Sequence, residues 1–130
     1  MANKTYDTLG LIVASEVVGA TATCTGANIV GLNVGSKSYV AVINTSVTTG
    51  TVDGSNYYTV QLVAGATLGG TYYPVGNAIV LPATAGQYQV GFTSEQLEQI
   101  VTGGEFFAVT VTKTGTTATA VTYTAFISEI

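Results

Sequence analysis

Residues 57–62 have the sequence YYTVQL, in which large apolar and polar side chains alternate. Successive side chains of a β-strand point to opposite faces, so this pattern is typical of a strand with one buried face. Tyr58, Val60 and Leu62 are predicted to face a core, and the polar residues between them to face outward. The same alternation in residues 87–92 predicts a second strand of this kind.

Short runs rich in Val, Thr, Ile and Tyr recur along all 130 residues, and Gly or Asn interrupts them. Such side chains suit a pleated, half-buried surface. The predicted strands are residues 9–18, 21–25, 29–34, 38–48, 56–63, 71–75, 78–81, 87–92, 105–113 and 117–127. We predict one all-β domain over residues 1–130, an antiparallel jelly-roll-like β-sandwich of about eight strands. The segment 1–18 is either a core strand or an extended N-terminal arm that reaches a neighbour.

One short helix is predicted near residues 94–101. Thr93 or Ser94 can cap its first turn, and Gly103 or Gly104 can end it. The helix carries the pair Glu95 and Glu98, which sit near one another on its surface.

In each of the last two predicted strands, the large apolar residues expected in the core carry odd numbers. The two strands are predicted to form a hairpin, in which a three-residue turn at 114–116 places Val109 opposite Val121 and Phe107 opposite Tyr123. Phe106 and Phe126 carry even numbers, so they are predicted to lie on the outward face of neighbouring strands.

Only 8% of the residues are charged, whereas 47% are apolar, and the net charge is -4 with no Arg. Soluble domains carry roughly 25% charged residues. Nucleic acid is excluded as a partner because its phosphates require clustered Lys and Arg. A membrane is excluded because no apolar stretch approaches the ~20 residues of a spanning helix. The sparse charge instead favours a protein whose outer faces are covered by other protein.

No chemistry is predicted for this chain, so we expect no enzyme activity, no catalytic residue, no cofactor and no metal. The chain has no His, the commonest general base and metal ligand. Glu95 and Glu98 could suggest a glycosidase pair, but a capping role explains them more simply. Asp53 lacks the ligand spacing of a calcium loop and is predicted to lie in a turn, as is Gly69-Gly70. The lone Cys24 is predicted to be a small buried side chain on a strand.

The adjacent tyrosines 57–58 and 72–73 place one ring on each side of a strand. One ring of each pair is predicted to be core and the other to face outward, where it would suit contact with a protein or a sugar. Exposed aromatic patches usually mark contacts, although a loop or the helix is an alternative cover for the phenylalanines. The interface candidates are Tyr57, Tyr72, Phe106 and Phe126.

The order of motifs resembles the capsid cement, or decoration, proteins of tailed double-stranded DNA bacteriophages, a family of small jelly-roll sandwiches. The motifs are IVGL at 29–32, YYTVQL at 57–62, GGTYYPVG at 69–76, AIVLP at 78–82, GQY at 86–88 and FFAVTV at 106–111. The resemblance implies a homotrimer on the capsid exterior that bridges subunits of the major capsid protein, and a protein made in the cytoplasm of a bacterial host. No individual contact residue carries over.

Two functions are therefore expected from the sequence. The first is a structural virion protein that decorates and stabilises a phage capsid. The alternative is a phage tail or adhesin-type sandwich module that binds a host glycan, which predicts outward aromatic residues gathered in one groove.

Overall fold

A computed structural model describes residues 10–24, 26–29 and 37–129. Its elements in chain order are β1 (Leu11–Val18), β2 (Ala22–Thr23), β3 (Ala27–Asn28), β4 (Ser38–Thr45), β5 (Thr49–Gly50), β6 (Tyr57–Gly65), β7 (Tyr73–Pro74), β8 (Ile79–Val80), β9 (Gly86–Thr93), α1 (Ser94–Ile100), β10 (Phe106–Thr114) and β11 (Ala118–Glu129).

The strands form two antiparallel sheets. The first has the order β1-β11-β4-β9, with β5 also paired to β11. The second has the order β2-β10-β6-β7, with β3 also paired to β10 and β8 to β6. The chain crosses from one sheet to the other after β1, β3, β5, β8, β9 and β10, which is the jelly-roll topology of a β-sandwich. The predicted all-β sandwich is confirmed.

The predicted hairpin between the last two strands is wrong. β10 pairs with β6 and β11 pairs with β4, so the two strands lie in opposite sheets. Phe107 is opposite Ala64 in its own sheet and Tyr123 is opposite Thr45 in the other. Odd numbering identifies only the side chains that face the core. Two strands that face each other across the core both place odd-numbered side chains in it, as two strands of one hairpin would. The numbering therefore could not tell these two arrangements apart.

The inward and outward faces otherwise follow the predicted alternation. Tyr58, Val60 and Leu62 are fully buried, while the polar residues between them are partly exposed. In β9, Val90 and Phe92 are buried, and Tyr88 is half-buried because β9 lies at a sheet edge. The core between the sheets also holds the buried side chains of Phe107, Val109, Val111, Val121, Tyr123 and Ile127.

The helix α1 begins and ends close to its predicted bounds. Thr93 is its N-cap: the Thr93 hydroxyl accepts from the Gln96 N–H at 3.1 Å, and Gln96 Oε1 accepts from the Thr93 N–H at 2.9 Å. This reciprocal pair is a capping box. Leu97 is fully buried against the core, and Ile100 and Val101 pack on it in part. The helix therefore closes one end of the sandwich where β9 leaves the first sheet.

Three predicted segments fall partly outside the described residues. Of the predicted strand at 21–25, residues 22–23 form β2 and residue 25 lies outside the described part. Of the segment 1–18, residues 11–18 form β1, which pairs with β11; residues 1–9 lie outside the described part. Of the predicted strand at 29–34, only Ile29 is described, and it is buried just after β3. The prediction of one domain over 1–130 stays a prediction.

Candidate functional site

The open side of the sandwich carries a groove between the edges of the two sheets, which we call the edge groove. One part, of about 310 Å³, lies between β9, α1 and the segment after β7; it is lined by Val75, Gly76, Gly91, Phe92, Gln96, Gln99 and Ile100. The other part, of about 270 Å³, lies beside it and is lined by Gly76, Asn77, Ile79, Gln89, Val90 and Gly91. Gly76 and Gly91 border both parts, so the two form one continuous depression along β9.

The lining combines an apolar floor with neutral amides. Val75, Val90 and Phe92 are buried core residues at its base. Four side-chain amides stand around them, from Asn77, Gln89, Gln96 and Gln99. Every lining residue is uncharged. Such a groove can form hydrogen bonds and bury apolar surface, and it has no titratable group with which to transfer protons.

Glycine at position 76 is required by the close approach of the two sheet edges. Its φ is +73°, in the left-handed region, and a Cβ there would lie 2.6 Å from Cγ1 of Val90. A side chain at position 76 would therefore be strained and would push into the groove floor.

Among residues 10–24, 26–29 and 37–129, strand β9 pairs with β4 alone and presents its other backbone edge to this groove. Its register with β4 is unbroken from Ser38 opposite Thr93 to Thr45 opposite Gly86. Just beyond this register, the Ser94 N–H donates to the Lys37 carbonyl at 3.0 Å. Hydrogen-bonded and non-bonded pairs alternate in an antiparallel ladder, so the pairs of β9 that exchange bonds with β4 are those of residues 92, 90, 88 and 86.

The backbone groups of the alternate residues of β9 consequently point away from β4. These residues are Gln87, Gln89, Gly91 and Thr93. The Thr93 N–H is satisfied by the capping box. Gln87, Gln89 and Gly91 therefore present N–H and C=O groups to the open side of the sandwich.

The other sheet edges within the described part of the chain are protected. β1 carries Glu16 and two register irregularities against β11. The edges of the second sheet are β2, β3, β7 and β8, each two residues long, and β7 contains Pro74. Short strands, bulges, charges and proline are the usual means of blocking edge-to-edge pairing. β9 has eight residues, a regular register, no charge and no proline.

Three of the four interface candidates lie on the outer face of the second sheet. Phe106 is opposite Gly65, and the Tyr72 ring would lie 3.0 Å from a Cβ at Gly65, so the two aromatics flank this glycine. Tyr57 lies at the other end of β6, opposite Thr114. All three are half-buried.

Phe126 is separated from these residues, because it lies on the outer face of the first sheet. It is only 5% exposed and packs with Val40, Val42 and Leu11. The placement of Phe106 and Phe126 on neighbouring strands is therefore wrong, since β10 and β11 are in different sheets. Phe126 is therefore buried among side chains of the neighbouring strands β1 and β4, and the loop or helix that the alternative named is not part of this cluster.

The two tyrosine pairs differ from each other. Tyr58 is core and Tyr57 is half-buried, as predicted. In the second pair, Tyr72 packs against the core in part and its hydroxyl accepts from the Gly69 N–H at 3.2 Å, whereas Tyr73 is 44% exposed. Tyr73 is thus the more exposed ring, although it lies opposite the inward-facing Ala64. Tyr72, on the outer face, is the more protected ring because it folds back over the turn at residues 66–71. That these four residues form an interface stays a prediction.

Two buried polar side chains, those of Cys24 and Tyr123, form hydrogen bonds in the core. Tyr123 Oη donates to Glu16 Oε2 at 3.2 Å, and the Val109 N–H donates to Cys24 Sγ at 3.1 Å. Burial raises the pKa of the Cys24 thiol. Burial, with Cys24 and Glu16 nearby, raises the pKa of Tyr123 well above its usual range. Both groups keep their protons at neutral pH, so they are structural, and the predicted burial of Cys24 is confirmed.

The acidic residues considered for chemistry have structural contacts. Asp53 Oδ1 accepts from the Ser55 N–H at 2.8 Å and from Asn56 Nδ2 at 2.9 Å, and these bonds lower the pKa of Asp53. Glu95 lies in the first turn of α1, and Glu98 Oε2 accepts from the Gly103 N–H at 3.4 Å. Within residues 10–24, 26–29 and 37–129, no cluster of three or more His, Cys, Asp or Glu side chains suits a metal ion. No helix in these ranges is long and apolar enough to cross a membrane.

Sequence reasoning missed the edge groove. Gln89 and Gln99 are ordinary surface residues in the sequence, and Asn77 is one of several turn residues. The one usable signal was the absence of charge and proline in residues 86–93, which marks an unprotected strand once β9 is known to be at an edge.

Comparisons with known proteins are sparse. No protein-family model matches the chain and no curated protein matches it. Among solved structures, the chain is similar to the C-terminal domain of EclA, described as a sugar-binding protein, with 9% identity, a TM-score of 0.49 and coverage of 97% of this chain and 83% of that one. It is also similar to a structure described under "Bacillus endospore appendages form a novel family of disulfide-linked pili", with 20% identity, a TM-score of 0.35 and coverage of 97% and 95%. Because both likenesses are distant, the assignment of a β-sandwich rests on the sheet pairings of this structure. Neither description names a capsid decoration protein.

Proposed function

We propose that this chain is a structural β-sandwich subunit that acts through contacts with other proteins of a larger assembly and catalyses no reaction. The observation that carries the proposal is the long, uncharged and unprotected edge of β9, in a protein with 8% charged residues. Sheet edges of this kind bind other strands readily. A protein with such a sheet edge is suited to an assembly in which another protein covers that edge.

The assembly we propose is the capsid of a tailed bacteriophage, with this protein on its outer surface in contact with the major capsid protein. The support is the series of motifs from residue 29 to residue 111 and the jelly-roll topology. A subunit that binds only the assembled shell stabilises that shell by mass action, and many weak copies act together. We propose the homotrimer implied by the resemblance for the protein bound to the capsid.

The test compares phage heads made with and without the protein, followed by addition of the purified protein to the depleted heads. We expect the protein to sediment with the heads and to raise the temperature at which they release DNA. Phe106→Ala should weaken retention, because it removes a half-buried ring from the outer face of the second sheet; Val47→Ala, in an exposed loop, is the matched control. Equal heat resistance with no protein retained would contradict the proposal.

A glycan-binding module is the second candidate function, and the edge groove favours it. Side-chain amides next to a Phe92 floor offer the neutral hydrogen bonds and the apolar contact that a sugar requires. Saturable binding of an oligosaccharide, measured by calorimetry and lost in Asn77→Ala and Gln99→Ala but not in Gln87→Ala outside the groove, would support this function. Absence of saturable binding across a glycan panel would exclude it.

A further inference from the structure

We infer that the free edge of β9 pairs with β9 of a second copy of this chain, in antiparallel register about a twofold axis at Gln89. A second copy of the chain is then one partner for the proposed structural role, on which this pairing rests. Only residues whose N–H and C=O groups point outward can bond a new strand, and in β9 these are Gln87, Gln89 and Gly91.

The register follows from using all three of these positions. With Gln89 opposite Gln89 of the second copy, Gln87 lies opposite the second copy's Gly91 and Gly91 opposite its Gln87. Each of these three pairs can exchange two backbone hydrogen bonds. A twofold axis at Gly91 would instead set Gln89 against Thr93, whose N–H is already bonded to Gln96. An axis at Gln87 would extend the pairing beyond Gly86, the first residue of β9.

The side chains are self-complementary in this register. On the outer face, the two Gln89 amides meet at the axis, and each Gln87 meets a glycine. On the inner face, Tyr88 lies opposite Val90 of the second copy, and Phe92 lies opposite its Gly86. Aromatic and β-branched side chains form favourable cross-strand pairs, and the half-buried Tyr88 ring gains cover.

Charge does not oppose the pairing. A twofold contact brings each residue near its own equivalent, so any charge near the axis meets a like charge. Residues 86–93 have none. This neutrality favours a second copy of the chain over a charged peptide as the occupant of the edge.

The first test is the mass of the protein in solution, measured by sedimentation velocity from about 10 µM to about 1 mM, because a contact of one strand edge is small and the dimer is expected to be weak. We expect a concentration-dependent dimer. Gln89→Lys places two ammonium groups at the axis and should raise the dissociation constant about tenfold or more. Thr112→Lys, exposed on a central strand of the other sheet, adds the same charge and should leave the dimer unchanged.

The second test fixes the register by cysteine cross-linking. Cα atoms of a hydrogen-bonded antiparallel pair lie about 5.5 Å apart, within disulfide range. Gln89→Cys should therefore form a disulfide-linked dimer under mild oxidation. Gln87→Cys should not, because its equivalent lies four residues away along the second strand. The native Cys24 is buried and does not compete.

A monomer at 1 mM overturns the inference, as does a dimer that resists Gln89→Lys or that cross-links through Gln87→Cys alone. A trimer unaffected by Gln89→Lys also overturns it, because a twofold contact cannot by itself make three chains. These results leave the proposed function standing, since head binding is measured separately. Heads that neither retain nor respond to a dimeric protein would contradict the function and leave the β9 pairing intact.

Discussion

Two consecutive phenylalanines show how strand alternation separates core from surface. Phe107 is fully buried, and its ring stacks on that of Phe92 with centroids 5.8 Å apart. Phe106 points to the outer face and is half-buried. A phenylalanine side chain is therefore expected to contribute more to the free energy of unfolding at position 107 than at position 106.

Phe107→Ala is expected to lower the free energy of unfolding by about 3–5 kcal/mol, because it leaves a cavity between the sheets. Phe106→Ala is the matched control and should cost about 1 kcal/mol, since its ring has less surface removed from water. Urea unfolding measures both. Equal losses would contradict the assignment of faces in β10.

Two buried tyrosines differ in whether their hydroxyl is bonded. Tyr58 is fully buried, and its Oη has no hydrogen-bond partner among the described residues. Tyr123 is also buried, and its Oη bonds Glu16. Removal of an unpaired buried hydroxyl relieves its desolvation penalty, whereas removal of a paired one loses a bond.

We therefore expect Tyr58→Phe to stabilise the fold by about 1 kcal/mol and Tyr123→Phe to destabilise it by about 1 kcal/mol. Thermal or urea unfolding of the two single variants tests the opposite signs. The expectation fails if Tyr58→Phe lowers stability as much as Tyr123→Phe does.

At the scale of the elements, α1 depends on its first turn. The helix has seven residues, which is too short to be stable alone, and the capping box with Thr93 satisfies backbone groups at its N-terminus. The same helix borders the edge groove through Gln96 and Gln99.

Thr93→Ala is expected to cost about 1 kcal/mol of stability, because the Gln96 N–H loses its acceptor. It should also speed the hydrogen exchange of amides in α1 more than of those in β10. Thr102→Ala, exposed beyond the helix, serves as the control. Unchanged exchange in α1 would show that the cap does not hold the helix.

Strand pairing is the other property of elements, and it limits what the sequence could predict. Alternation in β6 and β9 identified the buried faces correctly. It did not show that the neighbour of β10 is β6 and not β11, because the partners of a strand are set by residues far along the chain.

For the whole molecule, stability is expected to depend on alkaline pH. The pKa values of Cys24 and Tyr123 are raised from ordinary values of 9.0 and 10.0. Above those values the unfolded chain releases these protons while the folded protein keeps them. Folding is then linked to proton uptake, and stability falls as pH rises.

We expect the free energy of unfolding to keep its full value below pH 9. Above pH 9 it should fall by roughly 1.4 kcal/mol per pH unit for each of Cys24 and Tyr123 that is ionised in the unfolded chain but not in the folded protein. Urea unfolding at pH 7, 9 and 10.5 measures the fall. Tyr123→Phe should reduce the slope above pH 10, whereas Phe106→Ala should leave it unchanged. A slope that Tyr123→Phe does not alter would contradict the burial of this proton.

The sequence by itself determined the all-β class, the inward residues of β6, β9, β10 and β11, the turn at Asp53 and the helix near residues 94–101. These properties are local, since alternation, glycine spacing and capping residues act within a few positions. Only the tertiary structure decided that β10 and β11 lie in opposite sheets, that Phe126 is covered, and that β9 is an edge beside a groove. Strand neighbours are set by contacts such as that of Phe107 with Ala64, 43 positions apart in the numbering, which no local pattern encodes.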